Sequence, residues 1–191
     1  MTGHQHADDA RQVKRKLTYA DFVRFPDDVR RHELIDGEHY VTPSPNIRHQ
    51  DLSVRLTVAL GKYLEEHPAG RLFHAPLDCV FTNFDIVEPD LLWIAPDQLG
   101  IVTDKHVRGA PALVVEILST STRRVDLGIK LDLYDRVGVR EYWLIDPNTN
   151  QIAVYARSGA SLAPKHNLGV SDALTSPMLP GFQLNLADYF R

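Results

Sequence analysis

Cysteine is almost absent from this chain: Cys79 is the single one in 191 residues. One cysteine excludes an internal disulfide and a cysteine-based zinc site, and it fits a reducing compartment. Long apolar runs are missing as well. None approaches the ~20 residues that span a bilayer, and the polar stretch Met1 to Lys16 lacks the apolar core of a signal peptide. These absences lead us to expect a cytoplasmic protein with no membrane partner. An excess of positive charge is also lacking. Lys and Arg total 21 against 25 Asp and Glu, for a formal net charge of -4. Contact with nucleic acid would therefore rest on local patches, or on a metal that offsets acidic side chains. What remains is ordinary. Hydrophobic residues make up 43% and charged residues 24%, which excludes wholesale disorder and collagen-like repetition. The length suits one domain.

The pattern along the chain divides it into a polar and basic tail over 1–16, expected to be disordered, and one folded domain over 17–191. Thr18 with Asp21 resembles a capping box opening a short helix, which Pro26 ends. Asp36-Gly37 between Glu33-Leu34-Ile35 and Glu38 to Thr42 signals a hairpin. Asn46 can cap a helix from Ile47 to about Glu66, whose apolar residues recur at helical period. Short apolar segments follow at 71–81 and 85–94. Ala112 to Leu118 is an aliphatic run suited to a strand buried on both faces. A helix over roughly Ser121 to Val137 comes next, then strands at 141–145 and 151–156. The segment 157–180 reads as loops, with a last strand near Phe182 to Leu186 and a helical end. The expected fold is α/β: a mixed sheet flanked by helices in a single domain.

Three ionisable residues stand where such a fold favours carbon. Glu116 lies inside the aliphatic run, where a carboxylate costs several kcal/mol unless it is paired or binds metal. Asp90 opens an apolar strand just after Pro89, and Glu88 shares its face as an auxiliary carboxylate. Lys130 falls on the apolar arc set by Leu127, Leu131, Tyr134 and Val137. It either snorkels to solvent or meets an acidic partner. Two carboxylates from successive strands can share one divalent cation, and a neighbouring lysine can orient water or hold phosphate. His49 faces inward from the first turn of its helix, as a core histidine or a site residue. Glu33 precedes the hairpin turn, and Arg123 with Arg124 could meet phosphate or form a solvated face. Cys79, in an apolar segment, reads as core.

Pro89-Asp90 followed by Glu116 in an aliphatic strand resembles the PD-(D/E)XK nuclease superfamily. A closer resemblance is to the bacterial Uma-type putative restriction endonuclease family. It is carried by Glu33-Leu34-Ile35-Asp36-Gly37-Glu38, Pro43-Ser44-Pro45 with His49, Val114 to Ser119, Ser121 to Gly128 with Lys130, and Glu141 to Pro147. One position departs from the superfamily pattern. The lysine two residues after the acidic residue is replaced here by Leu118, and the Uma-type branch resembles this chain in lacking it. The resemblance implies a restriction-endonuclease-like fold and a Mg²⁺- or Mn²⁺-dependent endonuclease that cuts DNA to leave a 5′-phosphate. It implies that Asp90, Glu116 and the Ile117 carbonyl hold the metal, and that Lys130 orients the attacking water. Cutting both strands would call for a homodimer. The missing motif lysine and the negative charge leave a rival open: a catalytically degenerate nuclease scaffold acting in DNA binding or interaction. A third reading is a metal-dependent hydrolase of another phosphodiester.

Overall fold

The computed structural model describes residues 15–26, 28, 30–119 and 125–191, the side chains of Val125 and Asp126 excepted. The chain runs through α1 (Tyr19–Phe22), β1 (Arg31–Ile35), β2 (Glu38–Thr42), α2 (Ile47–Glu66), β3 (Arg71–His74), β4 (Cys79–Val80), β5 (Ile86–Val87) and β6 (Leu91–Ile94). A 3₁₀ turn (Pro96–Ile101), β7 (Val107–Arg108), β8 (Leu113–Ile117), a π-helical turn (Val125–Ile129) and α3 (Lys130–Val137) follow. The C-terminal part holds β9 (Glu141–Asp146), β10 (Gln151–Ser158), β11 (Ser161–Leu168), β12 (Ala173–Ser176), β13 (Leu179–Asn185) and α4 (Leu186–Tyr189).

A six-stranded sheet, ordered β11-β10-β9-β8-β6-β3, organises the fold. All its neighbours are antiparallel except β8 and β9, which run parallel. That pair needs a crossover, and the segment carrying α3 supplies it. A second sheet, β2-β1-β5-β4-β7, and the β12-β13 hairpin complete the α/β fold. Among the described residues no helix is long and apolar enough to cross a membrane.

Strand alternation splits the core in two. Leu91, Trp93, Leu113, Val115 and Ile117 pack with Leu52, Leu56 and Leu60 of α2 and with α4. Leu92, Ile94, Val114 and Leu118 pack on the other face with Leu133 and Tyr134 of α3. Glu116 has the parity of this second face. Leu91 pairs with Val115, so the same register carried one residue further sets Asp90 across from Glu116.

Local signals account for much of this. The Asn46 side chain caps α2 by accepting the His49 amide at 2.9 Å. Asp36 and Gly37 take positive φ of 52° and 74° at the hairpin turn, the geometry that a tight two-residue turn demands. Cys79 is fully buried core.

Other expectations need correction. The apolar segments at 71–81 and 85–94 are each broken in two, around Pro76 and Pro89, because proline cannot donate to a ladder. The segment 157–180 is not loop but the greater part of two hairpins. Its strand β11 lies at the sheet edge and is mostly exposed, so it lacks apolar alternation and tolerates Pro164. Of the helix expected over roughly Ser121 to Val137, residues 121–124 lie outside the described residues, Val125–Ile129 form the π-helical turn and Lys130–Val137 are α-helical. The wider turn shifts the helical phase: Leu127 is exposed and Leu133 is buried instead. Residues 1–14 of the expected tail lie outside the described residues, as do Arg123 and Arg124.

Candidate active site

Three elements and one strand break bring polar and charged side chains into one cluster that reaches from α3 to the N-terminal turn of α2. β8 delivers Glu116, α3 Lys130 and Tyr134, β1 Arg31 and Glu33, and the break between β5 and β6 delivers Glu88 and Asp90.

Lys130 does not snorkel. It is 2% exposed, with Nζ 2.9 Å from both Glu116 Oε1 and Glu33 Oε1. Tyr134, one helical turn on and therefore on the same face, donates its hydroxyl to Glu116 Oε1 at 2.5 Å. Burial, reinforced by the Glu116 charge, raises the Tyr134 pKa well above its ordinary value, so the phenol stays a donor. Glu33 Oε1 also accepts the Glu88 amide at 2.9 Å. That amide is free to turn inward because the Pro89 break ends the ladder beside it.

Asp90 is 2% exposed and held on both oxygens. Oδ2 accepts the Ile117 amide at 2.7 Å and lies 3.1 Å from His49 Nε2. Oδ1 meets Arg31 Nη1 at 3.1 Å. Burial alone would raise the Asp90 pKa. His49, Arg31 and the Ile117 amide together outweigh burial and hold it below 3.8. Arg31 reaches a second carboxylate, with Nε 2.8 Å from Glu88 Oε1. For Glu88 burial prevails over Arg31, and Glu33 and Asp78 add to it, so its pKa is raised.

Arg31, His49 and Asp90 line two cavities, of 200 and 220 Å³. Ile117 also lines the first, so solvent space adjoins Asp90 and Ile117, while Glu116 lies deeper and lines neither cavity. Among the described residues, His49 Nδ1 is buried without a hydrogen-bond partner. Among the described residues no three His, Cys, Asp or Glu side chains form a ready-made metal cluster. The donor chemistry nevertheless fits a hard divalent cation: carboxylates, a nearby main-chain carbonyl, space for water and an orphaned imidazole nitrogen.

The structure thus brings together Asp90, Glu116, Ile117, Lys130, Glu33 and His49 from the sequence reading, with Glu88 beside them. Arg31 and Tyr134 escaped that reading. Both had a spacing signal: Arg31 stands two residues before Glu33 on one strand face, and Tyr134 four after Lys130 on one helix face.

The chain has relatives. A solved structure of a "putative nuclease belonging to DUF820" from Anabaena variabilis matches with a TM-score of 0.75 and 19% identity, over 91% of this chain and 97% of that one. At that identity it shows a shared fold. An uncharacterised protein of Synechocystis, slr1290, is 26% identical over 154 residues, 75% of each chain. The Uma2 family, described as "Putative restriction endonuclease", matches residues 19–187. That span takes in every element from α1 into α4 and every residue of the charged cluster, and the chain belongs to the Uma2 family.

Proposed function

We propose that the protein is a metal-dependent DNA endonuclease that hydrolyses phosphodiester bonds. One observation carries this reading: Asp90, Glu116 and Lys130, from three separate parts of the chain, converge in one buried cluster of a Uma2 chain. Asp90 and Glu116 would hold Mg²⁺ or Mn²⁺ with the Ile117 carbonyl. When bound, the cation supplies positive charge to the phosphate and leaving oxygen as the bond breaks.

The chain's own residues do the positioning. Tyr134 and Lys130 fix Glu116 from one side, and His49 and the Ile117 amide fix Asp90. The Lys130 ammonium, held between Glu33 and Glu116, orients the attacking water. The water oxygen bonds to phosphorus, the bond to the 3′ oxygen breaks, and protons are redistributed to leave a 3′-hydroxyl and a 5′-phosphate. Lys130 stands in place of the motif lysine that Leu118 replaces. Cleavage of both strands would use two copies related by a two-fold axis.

A second reading is favoured by a specific observation: Arg31, Lys130 and Tyr134 already occupy oxygens of Asp90 and Glu116. Such a cluster also suits a scaffold that has lost catalysis and acts in binding. Supercoiled plasmid with Mg²⁺, Mn²⁺ or chelator separates the two. The endonuclease nicks or linearises plasmid only with metal, and Glu116→Gln does not. Equal results for the two proteins in metal favour the scaffold.

A further inference from the structure

Arg31 is the residue that a metal-binding reading of the cluster leaves unexplained. It opens β1 with its side chain 17% exposed, and it touches Glu88 and Asp90 at once. Burial alone would lower its pKa. Asp90 first, then Glu116, Glu88 and Glu33, outweigh burial and raise it. The guanidinium is therefore a permanent cation in contact with two carboxylates and in the field of two more.

Its choice of oxygen matters. Oδ2 of Asp90 is taken by the Ile117 amide and His49. Oδ1 is the oxygen left for a cation, and Arg31 holds it. Charge leads to the same place. Glu33, Glu88, Asp90 and Glu116 carry -4 when ionised, and Arg31 and Lys130 return +2 among the described residues. The remaining -2 suits a divalent ion, and withdrawing Arg31 would make it -3. Room to withdraw exists, because Arg31 also lines a 540 Å³ cavity with Phe25, Asp78 and Glu88.

We propose that Arg31 is a tethered counter-ion of the acidic cluster, competing with a divalent cation for Oδ1 of Asp90 and giving way toward the adjoining cavity when the cation enters. Arg31 is thus a positioning residue that offsets part of the acidic cluster's charge between turnovers and sets how readily metal loads. This rests on the metal reading of the site.

Competition has a sign that ordinary structural support lacks. If Arg31 only braced the carboxylates, its loss would scatter them and weaken metal binding. If it competes, its loss frees the competent state and tightens binding. Mn²⁺ titration calorimetry on the full chain, without DNA, reads the difference. Arg31→Met should bind Mn²⁺ about tenfold tighter than wild type, with Arg31→Lys between them. Arg31→Met should also melt lower than wild type in chelator and gain more from added Mn²⁺. Binding by wild type with equal or weaker binding by a folded Arg31→Met overturns the inference and leaves the metal reading standing. Binding by Arg31→Met alone supports it. No binding by either protein overturns both. Should Arg31→Met fail to fold, Arg31→Lys decides, since an affinity equal to wild type refutes competition.

Discussion

The central sheet carries two buried glutamates, and their surroundings differ. Glu116 sits toward the C-terminal end of the parallel β8–β9 pair, and Glu141 opens β9 opposite Leu113 at the other end. They have opposite facial parity: Glu116 turns toward α3, while Glu141 lies on the same side as Trp143 in the α2 core. Both are 2–3% exposed. Glu116 meets an ammonium and a phenol. Glu141 meets two neutral donors, Trp143 Nε1 at 2.6 Å and Ser176 Oγ at 2.9 Å. Burial of a carboxylate is therefore no mark of chemistry by itself. Glu141 ties β9 to the β12–β13 hairpin with dipoles. Glu116 belongs to a group in which charges face charges, at the end of parallel strands where ligands bind in open α/β sheets.

The largest expected effect breaks the comparison outright. Glu116→Gln should lower metal-dependent plasmid cleavage by at least about 10²-fold, while Glu141→Gln should stay within about twofold of wild type. Matched losses, after both proteins are shown to be folded, would mean that the two carboxylates are equivalent and that the cluster around Glu116 is not the site.

Stability sharpens the contrast next. Lys130→Met leaves Glu33 and Glu116 facing each other in the core without their ammonium. Breaking a buried pair on one side costs about 3–5 kcal/mol, to be read by urea unfolding in chelator. Adding Glu116→Gln should recover part of that loss by removing one stranded charge. No recovery would show that the Lys130 stem, rather than its charge, holds the helix.

Glu141 and Asp90 should also respond oppositely to pH. Burial raises the Glu141 pKa above 4.5, and the Trp143 and Ser176 hydrogen bonds offset only part of that. The folded state then holds the proton more tightly than the unfolded state, so stability falls as pH climbs from about 4.5 through the folded pKa. Asp90 in the charged cluster is held below 3.8. Its contribution is present above 3.8 and is lost as pH falls through the folded value. Glu141→Gln should reduce the first slope, to which Glu88 with its raised pKa also contributes, and leave the acid limb in place. Asp90→Asn should do the reverse. Calorimetric melts across pH 3–8 separate them.

These contrasts were unequally legible in the sequence. Glu116 and Lys130 stood out because each interrupts an apolar pattern, one on a strand and one on a helix wheel. Lys130 pointed inward as the wheel required even though the π-helical turn moved Leu127 out and Leu133 in. The Asn46 cap and the Asp36-Gly37 turn were legible because their chemistry is local. Arg31 was not: it follows Arg30 and precedes His32, and a charged run reads as solvated until Glu33 is seen two residues on. The hairpins after Ser158 were hidden because an edge strand need not alternate. Glu141 begins its strand like any boundary residue, and only the fold shows Ser176 reaching it from 35 positions away.

The smallest expected effect tests whether Glu141 is held by dipoles alone. Ser176 Oγ donates to Glu141 Oε2 and accepts the Met178 amide at 3.1 Å. Ser176→Ala removes one neutral donor and one acceptor from a buried corner. A lost hydrogen bond of this kind costs about 1 kcal/mol. A 510 Å³ cavity lined by Glu141 and Ser176 gives water a route to replace part of it. The cost should depend on pH. Ser176 favours the ionised form of Glu141, so its loss raises the Glu141 pKa further and matters most once the group must ionise. Urea unfolding at pH 5 and pH 8 should show the larger deficit at pH 8, with plasmid cleavage unchanged. A deficit equal at the two values would mean that Glu141 does not titrate between them and that the hydroxyl serves only the Met178 amide. Lost cleavage would join the two ends of the sheet and dissolve the contrast between the two glutamates.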